Sequence, residues 1–455
     1  MSIELTTGGY GSPRWTGEIL DCSMPMTFDT YSNCAFNCAY CFSSFQRAIG
    51  GAAEDYLNGV FHAVDVERVK RMFLDPDRHA GTFAWYIKAR KVLQWGGLSD
   101  AFDPCERRHR VSLRLLQFFR ELQYPISIST KATWWTEDPE YTALLRGAEH
   151  VHVKTSIITT DRDAAAKIER GVATPAERFA SLRRLKDLGV GCTTLRFRPF
   201  IPGVSDRTME AMVEEGARAG VFSLTTEFLC IDRRIPPPVQ EQFRALGAVA
   251  GMDLLEFYRA NSPGAAGLMR LNYEYKRPLI DRLKALCTAK GIAFHCSDAH
   301  HAEKGATAMC CGLPEAGALG NWSRGHFKHA LILARERGRV TWADIAPHAE
   351  GLKEIPFASA EGFNSGGQAN RAKRRFQSMW DYMRETWNTP SALVSPARYF
   401  GGVLVPAHRD GDGDVVYLYN RPLVERGEHV QSVEALEQEL NGLRLPACGG
   451  ATSGC

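Results

Sequence analysis

The amino-acid sequence predicts an α/β protein built on a partial (β/α)6 barrel and followed by a mainly helical C-terminal extension. The first observation behind this prediction is that β-prone and helical segments alternate, because strands separated by helices form parallel, right-handed βαβ units. The second is that six such strand segments occur before residue 235, which gives a barrel that stays open on one side. The third is a run of cysteines directly after the first strand, at the carboxyl edge where such folds place their chemistry.

The strands and helices of the barrel follow from local sequence patterns. Short β-prone runs predict strands at 26–31, 91–95, 126–130, 151–157, 192–197 and 222–231. Apolar residues at helical spacing predict helices at 110–122, 139–146, 174–188 and 206–219. The helix at 174–188 has the clearest start, because Thr174 is a good cap, Pro175 suits the first turn and Glu177 places an acid there.

The second half of the sequence departs from this alternation after three consecutive prolines at 236–238. It predicts two helices at 239–258 and 277–290, a short strand at 292–295, a helix at 363–387, and a hairpin at 399–423 that turns at 410–414. The expected organisation is an N-terminal arm at 1–25, a core barrel at 26–235, a helical continuation with a second cysteine cluster at 236–319, and a C-terminal extension at 320–455.

Composition narrows the class of protein. The chain of 455 residues is 44% hydrophobic and 24% charged, with a formal net charge of +3, which is typical of a globular protein without a strong overall attraction to nucleic acid. The N-terminus shows no secretory pattern and no segment is long and apolar enough to span a membrane, so we expect a cytoplasmic protein without a membrane partner. The 13 cysteines are an odd number in such a chain, which favours reduced thiols that serve metal binding or catalysis.

The most informative segment contains Cys34, Cys38 and Cys41, with Tyr40 directly before the last cysteine. Three thiolates this close in sequence can converge on one point, and soft thiolates select zinc, copper(I) or iron–sulfur clusters. A structural zinc site takes four ligands, whereas this local set stops at three. A [4Fe-4S] cluster held by three cysteines would leave one iron open. The alternative is three buried or disulfide-linked cysteines.

This cysteine pattern resembles the radical S-adenosylmethionine (SAM) superfamily, in which SAM chelates the open iron. Further short motifs occur in the order found in its spore photoproduct lyase-like branch, and together they cover residues 26–232. The motifs begin with Ser99-Asp100 and continue at 103–106, 128–131, 156–161, 169–171, 175–178 and 198–203.

The resemblance implies specific roles for residues of this chain. Cys34, Cys38 and Cys41 would bind the cluster, and Tyr40 would lie beside the SAM adenine. Further candidates facing SAM or substrate are Gly96, Gly97, Ser99, Asp100, Lys131, Ser156 and Arg198. The ordinary alternatives are a turn in which Asp100 caps a helix, and solvated charges at strand ends for Lys131 and Arg198.

One position departs from the branch. Spore photoproduct lyase uses a hydrogen-donating cysteine just before its Ser-Asp pair, where this chain has Gly97. Cys105 is a candidate substitute, and Lys131 is the second candidate catalytic residue. The alternative for Cys105 is a small buried side chain.

A second cysteine cluster consists of Cys296, Cys310 and Cys311. Adjacent cysteines do not readily pair in a disulfide, but together with Cys296 they can converge on a metal. We expect a second iron–sulfur cluster or a zinc ion here, and the alternative is a loop with unrelated thiols. The candidates for a fourth ligand are His300, His301, Cys448 and Cys455.

The resemblance implies a radical SAM enzyme in which the reduced [4Fe-4S] cluster cleaves SAM to a 5′-deoxyadenosyl radical that abstracts hydrogen from a substrate. It also implies an electron donor of the flavodoxin or ferredoxin type. The substrate hypotheses are a nucleobase in DNA or a nucleotide, and alternatively a peptide or small molecule modified with the help of an auxiliary cluster. A third hypothesis is a non-catalytic iron–sulfur or zinc protein.

A basic run near the C-terminus bears on the nucleic-acid hypothesis. Basic and aromatic residues on one helix can follow a phosphate backbone and stack on bases, although a solvated helix face is the plainer interpretation. The residues of this run and its neighbours are Arg371, Lys373, Arg374, Arg375, Phe376, Trp380, Tyr382 and Trp387.

Overall fold

The computed structural model describes residues 4–7, 14–15, 24–43, 59–263, 267–323, 325–356, 376–392 and 394–430. The chain forms two compact units, Met1–Arg324 and Gly325–Cys455.

The first unit is organised around one large sheet and two small ones. Its strands are β1 (Glu4–Thr7), β2 (Arg14–Trp15), β3 (Met26–Phe28), β4 (Val60–Ala63), β5 (Leu93–Trp95), β6 (Ile126–Thr130), β7 (Val151–Ser156), β8 (Cys192–Phe200), β9 (Ser223–Phe228), β10 (Ile231–Asp232), β11 (Leu268–Met269) and β12 (Ala293–Cys296). The large sheet has the order β2-β3-β5-β6-β7-β8-β9-β12. Adjacent strands of this sheet pair in parallel, except that β2 and β3 are antiparallel.

This sheet confirms the α/β class predicted from the sequence and adds one strand to it. The six expected strands lie side by side in chain order, and β12 extends them as a seventh parallel strand beside β9. The sequence predicted a short strand near β12 but did not place it in the barrel. Strands β1, β2 and β4 were not predicted, and part of the expected N-terminal arm pairs with β3 and β4 instead.

Helices connect the parallel strands, as the alternating pattern requires. Those of the first unit are α1 (Val66–Leu74), α2 (Pro76–His79), α3 (Ala84–Lys88), α4 (Pro104–His109), α5 (Val111–Glu121), α6 (Pro139–Leu145), α7 (Arg162–Ile168), α8 (Pro175–Asp187), α9 (Met209–Arg218), α10 (Pro237–Ala250), α11 (Leu254–Asn261) and α12 (Tyr273–Ala289). Helix α8 begins as predicted, because the Thr174 side chain accepts the Glu177 N–H and Glu177 reaches back to the Thr174 backbone.

The prediction of a single helix at 239–258 is wrong, because the structure has two helices there, α10 and α11. Gly251 ends α10 in a left-handed conformation with φ of +74°, and its N–H donates to the Gly247 carbonyl. Asp253 then starts α11 by accepting the Glu256 N–H. A glycine end and an aspartate cap two residues apart therefore divide the apolar pattern into two helices.

The strands separate an apolar outer face from a polar inner face. On the outer face Phe28 and Trp95 stack at 5.1 Å between ring centroids and contact Phe119 of α5. Along β7 the residues of the opposite face are polar although every residue of this strand is buried; they are His152, Lys154 and Ser156. The interior of the open barrel, here called the lumen, is therefore lined by buried polar side chains.

The second unit combines helices with a small antiparallel sheet. Its strands are β13 (Arg339–Val340), β14 (Leu404–Arg409) and β15 (Val415–Tyr419), and its helices are α13 (Lys328–Arg337), α14 (Trp342–Ala349), α15 (Met379–Trp387), α16 (Pro396–Tyr399) and α17 (Arg421–Arg426). The pairing of β14 with β15 confirms the expected hairpin.

Trp387 is central to the core of this unit. Its ring is fully buried, lies 4.8 Å from that of Tyr417 between centroids, and donates through its indole N–H to the Val415 carbonyl. Only the last part of the helix expected at 363–387 is described, as α15, so the basic run at 371–375 lies outside the described residues.

Within the described residues, no helix has both the length and the apolar character needed to cross a membrane.

Candidate functional site

The cysteine loop follows β3 and is fixed by contacts with distant parts of the barrel. The Ala35 N–H donates to Asp103 Oδ2 at 2.8 Å, and the Ala39 N–H donates to the Ile168 carbonyl at 2.9 Å. Cys38 is buried, whereas Cys34 and Cys41 are half-buried. The loop therefore has a defined backbone position at the carboxyl edge of the sheet.

The thiols of this loop lie close enough to influence one another. Burial raises the pKa of the Cys38 thiol to about 12, with Lys131 opposing and Cys41 adding to the rise. Burial also raises the pKa of Cys34, with further contributions from Asp103, Asp100 and Cys41. Cys41 thus contributes to the raised pKa of both other thiols.

The donor set fits an iron–sulfur cluster in its chemistry. Three soft thiols in one loop supply three cluster ligands, and the positive charge of bound iron would offset the cost of burying them as thiolates. Within the described part of the chain, no three His, Cys, Asp or Glu side chains are already gathered as a group that could hold a metal ion. The thiols of the loop would therefore have to turn toward a common point.

Tyr40 connects this loop to a buried ion pair that the sequence analysis did not single out. Its hydroxyl donates to Glu169 Oε1, and Glu169 Oε2 pairs with Arg178 Nη2 at 2.5 Å. Arg178 Nη1 then donates to the Ser156 carbonyl at 2.7 Å. The chain of contacts thus joins the cysteine loop to the end of β7.

This ion pair is almost completely shielded from solvent, since the side chains of Arg178 and Glu169 are 0% and 1% exposed. Burial by itself would raise the pKa of Glu169, but Arg178 and Lys131 hold it below its ordinary value. The carboxylate is therefore ionised and can accept the Tyr40 hydroxyl. The two residues belong to the short motifs at 169–171 and 175–178, which were the available sequence signal.

Lys131 lies at the end of β6, beside the cysteine loop. Its ammonium group is 5.6 Å from the centroid of the Tyr40 ring. Burial opposes its charge, but Cys38 and Glu169 raise the pKa of Lys131. The structure therefore brings together two residues predicted from the sequence, Lys131 and Tyr40.

The glycine turn after β5 approaches the backbone of β6 closely. Gly96 has φ of +87°, and a Cβ atom there would lie 2.6 Å from the Ser129 carbonyl oxygen. Gly97 follows it in a half-buried position. Only glycine fits at position 96, because any other residue would have an unfavourable positive φ and its Cβ would clash with the neighbouring strand.

Ser99 and Asp100 hold this turn in place. The Ser99 N–H donates to Asp29 Oδ1 at 2.9 Å, and its hydroxyl donates to the Tyr31 carbonyl at 2.7 Å. Asp100 accepts the Thr130 hydroxyl at 2.7 Å and the Lys131 N–H at 2.6 Å. These contacts tie β3, β5 and β6 together, and a direct contact with SAM stays a prediction for both residues.

Ser156 and Arg198 lie on the lumen side of the adjacent strands β7 and β8. The Ser156 hydroxyl accepts Arg196 Nη1 at 3.3 Å. Arg198 forms an ion pair with Glu227 and donates through Nη1 to Ser297 Oγ at 3.2 Å. Ser156 therefore contacts a further cation, Arg196, which was not predicted from the sequence and which lies two residues before Arg198 on β8.

Cys105 is buried in α4, near the Asp103 carboxylate that anchors the cysteine loop. Burial, together with Asp103 and Glu106, raises the pKa of its thiol to about 12. A catalytic role for Cys105 stays a prediction.

The second cysteine cluster is only partly brought together. Cys310 Sγ and Cys311 Sγ are 3.8 Å apart, whereas Cys296 Sγ contacts the Asp298 carbonyl at 4.0 Å. The His301 ring stacks on Tyr273 at 4.4 Å between centroids. The described residues give no support to a second cluster or a zinc ion, and Cys448 and Cys455 lie outside them.

Comparison with known proteins finds a family model that matches part of the barrel. Residues 29–216 match the model described as the Radical SAM superfamily. Uncharacterized proteins of Mycobacterium bovis and Mycobacterium tuberculosis are 22% identical to this chain over 235 residues. These alignments cover 48% of this chain and 66% of each relative, so the chain spans slightly less than two thirds of their length.

Two solved structures resemble the chain in part. Spore photoproduct lyase complexed with dinucleoside spore photoproduct gives a TM-score of 0.48 at 15% identity, covering 64% of this chain and 81% of that one. The radical S-adenosylmethionine methyltransferase TsrM from Kitasatospora setae, with tryptophan and a SAM analogue bound, gives a TM-score of 0.34 at 11% identity, covering 57% and 51%.

The fold and the site define an open α/β barrel with a three-cysteine loop at its carboxyl edge. Residues 29–216, less than half of the chain, are similar to the Radical SAM superfamily.

Proposed function

We propose that this protein is a radical SAM enzyme whose cluster is held by Cys34, Cys38 and Cys41. The observation that carries the proposal is the position of the cysteine loop, anchored through Tyr40 to the buried pair of Glu169 and Arg178 at the mouth of a polar lumen. When bound, a [4Fe-4S] cluster would supply the electron that cleaves SAM and so starts hydrogen abstraction from a substrate.

The protein's own residues would bind and orient the reactants. Lys131 places a positive charge beside Tyr40 and the cysteine loop, where it can attract an anionic group. The glycine turn at Gly96 leaves the backbone accessible because it carries no side chain. Ser156 and Arg198 present a hydroxyl and a guanidinium group to the lumen, the space in which we place SAM and the substrate.

The buried lumen would also exclude water from the reaction. The strands around it are closely packed, and polar side chains such as His152 and Thr194 are hydrogen-bonded to each other at 2.7 Å. A reactive carbon radical survives only where solvent and stray hydrogen donors are kept away. An external electron donor of the flavodoxin or ferredoxin type would reduce the cluster.

For the substrate we favour a nucleobase in DNA or a nucleotide, which the resemblance of the motifs to the spore photoproduct lyase-like branch supports. A DNA substrate predicts a complex whose affinity falls steeply with salt concentration, because binding releases counterions from the phosphates. Electrophoretic mobility shifts at increasing salt concentrations measure this; a peptide or small-molecule substrate predicts no such complex.

The alternative of an auxiliary cluster or zinc rests on Cys296, Cys310 and Cys311. It predicts that a double variant, Cys310→Ala with Cys311→Ala, loses a distinct share of the iron or zinc of the purified protein. If the metal content does not change, one cluster per chain is the correct description.

The cluster assignment itself is tested by iron and sulfide analysis of anaerobically reconstituted protein. We expect about four irons per chain, as a [4Fe-4S] cluster requires. Replacing Cys34, Cys38 or Cys41 singly by alanine should remove most of this iron. Cys287→Ala is a control for Cys38→Ala in particular, because Cys287 is buried like Cys38 but lies in α12. Equal iron in the Cys38→Ala and control variants would contradict the proposal, and so would dithionite-reduced wild-type protein without a cluster signal in electron paramagnetic resonance.

A further inference from the structure

Three cations lie on the lumen side of two adjacent strands. Lys154 is on β7, and Arg196 and Arg198 are on β8. In the pairing of these strands Lys154 is aligned with Thr194, and Ser156 is aligned with Arg196. Lys154 and Arg196 therefore lie on the same face of the sheet, with Lys154 two residues closer to the N-terminal ends of the strands. The side chain of Lys154 is almost completely buried, with a relative exposure of 2%.

These cations lie close enough for electrostatic repulsion to change their pKa values. Burial lowers the pKa of Arg196 to about 10, and repulsion from Arg198 contributes to the drop. Burial likewise lowers the pKa of Lys154, with repulsion from Arg196 and Arg198. A positive charge on Lys154 or Arg196 therefore costs free energy unless an anion is nearby.

The described residues supply one carboxylate to this group. Glu227 pairs with Arg198, which lies two residues beyond Arg196 along β8. Among the described residues Arg196 donates only to the neutral Ser156 hydroxyl, at 3.3 Å, and Glu227 favours its charge without a hydrogen bond to it. The ammonium group of Lys154 has neither a hydrogen bond nor a carboxylate partner among the described residues, and its strongest opposite influence is the Cys311 thiol. Burying a charge without a partner is unfavourable, so the lumen holds an excess of positive charge that calls for an anion.

A second and independent observation indicates a ligand at the same place. Ser129 on β6 is aligned with Lys154 on β7, so both side chains lie on the same face. Its hydroxyl oxygen is buried and has no hydrogen-bond partner in the described part of the chain. Buried hydroxyl groups are normally hydrogen-bonded, and an oxyanion beside Lys154 would satisfy this one.

We propose that Lys154 and Arg196, with the hydroxyl groups of Ser129 and Ser156, bind an anionic group of the substrate. A guanidinium beside an ammonium group suits a phosphate or a carboxylate, since both accept several charge-assisted hydrogen bonds. This inference rests on the proposed function, because it specifies the substrate class: a molecule with a phosphate or carboxylate that reaches into the lumen.

Two other assignments of the same positive charge are testable. The cations would bind the carboxylate of SAM if that group lay beside Lys154 and Arg196, or they would stabilise thiolates of Cys310 and Cys311. The first predicts that SAM excludes a small anion, and the second predicts that a small anion binds without regard to Lys154.

The experiment is a calorimetric titration of the reconstituted holoenzyme with inorganic phosphate, and separately with acetate, with and without saturating SAM. We expect at least one of these anions to bind, and to bind also to the SAM-saturated enzyme. Lys154→Met should weaken this binding at least tenfold, whereas Arg196→Lys, which keeps the charge, should weaken it less. Lys167→Met is the control, because Lys167 is an exposed lysine on α7.

Three results would overturn the anion site: exclusion of both anions by SAM, equal binding by wild type and Lys154→Met, or no binding of either anion to folded holoenzyme. Iron content and circular dichroism establish that each variant is folded. Anion binding is measured without turnover, so it is separable from the proposed function. If phosphate binds as expected but SAM is not cleaved, the proposed function fails and the anion site stands.

Discussion

At the scale of single residues, the most consequential finding is that Tyr40 of the cysteine loop depends on an ion pair far away in sequence. Tyr40 and Glu169 are separated by 129 positions, and Arg178 completes the pair from α8. Removing one partner of a buried ion pair leaves the other charge uncompensated, which costs far more than an exposed pair contributes. The geometry of the cysteine loop should therefore be sensitive to Glu169.

The substitution Glu169→Gln tests this dependence. We expect the free energy of unfolding to fall by about 3–5 kcal/mol, because Arg178 would remain buried without a counter-charge. Urea unfolding followed by circular dichroism measures the change, and reconstituted protein should retain less iron. Glu241→Gln is the control, since Glu241 forms an exposed pair with Arg244 that is expected to contribute less than about 1 kcal/mol. Equal losses in the two variants would contradict the structural role of Glu169.

His150 gives a prediction about pH. Burial lowers the pKa of His150 to about 4, with help from Arg120 and Arg90, against an ordinary value of 6.5. As pH falls below 6.5 the unfolded chain takes up this proton first, so stability is lost progressively until the folded state is also protonated near pH 4. Between pH 7.5 and pH 5 the expected loss is about 2 kcal/mol, at 1.36 kcal/mol per pKa unit.

The comparison that isolates this effect is the wild type against His150→Leu in urea unfolding at both pH values. The difference in unfolding free energy between the two proteins should shift by about 2 kcal/mol in favour of the variant as pH falls from 7.5 to 5. A constant difference across that range would show that His150 is not held in its neutral form by burial.

At the scale of elements, the turn after β5 lies against the backbone of the adjacent strand β6. Gly96 allows this approach because the Ser129 carbonyl occupies the space that a side chain would need. The Leu98 and Ser99 N–H groups of the same turn donate to Asp29 Oδ1, directly after β3. A change at Gly96 should therefore disturb the site side of β3, β5 and β6 together.

Gly96→Ala should be more destabilising than a glycine replacement with the same backbone requirement but free space. Gly147 provides that control, because it has φ of +62° and no atom within 4 Å of an added Cβ. We expect Gly147→Ala to cost about 1–2 kcal/mol from the left-handed backbone alone, and Gly96→Ala to cost clearly more because of the clash. Thermal unfolding of both variants measures this. Equal costs would mean that the backbone of β6 can move away.

The elements also show what sequence patterns can and cannot predict. The six barrel strands and the capped start of α8 were predictable, because period and capping are local properties. The place of β12 was not, since a four-residue strand acquires its partner from packing rather than from its own residues. The link from Tyr40 to Glu169 was likewise hidden, although the motif at 169–171 marked that region. The cations Lys154 and Arg196 looked ordinary in sequence because burial is decided by the fold.

At the scale of the whole molecule, seven parallel strands bring the cysteine loop, the glycine turn and the lumen cations to one barrel. The cysteine loop comes from the connection after β3, whereas the lumen cations come from β7 and β8. This arrangement places a candidate cluster site at the edge of the sheet and a positively charged interior beside it. A substrate whose anionic group binds in the positively charged interior would lie beside the candidate cluster site.

The central claim is that the cysteine loop supports cleavage of SAM. The most direct test incubates anaerobically reconstituted protein with SAM and dithionite and quantifies 5′-deoxyadenosine by chromatography. We expect 5′-deoxyadenosine to accumulate with time in the wild type, to form in the Cys287→Ala control, and to be absent in Cys38→Ala. Cluster-loaded wild-type protein that binds SAM but forms no 5′-deoxyadenosine would show that the cysteine loop does not support SAM cleavage, and so would undiminished formation by Cys38→Ala.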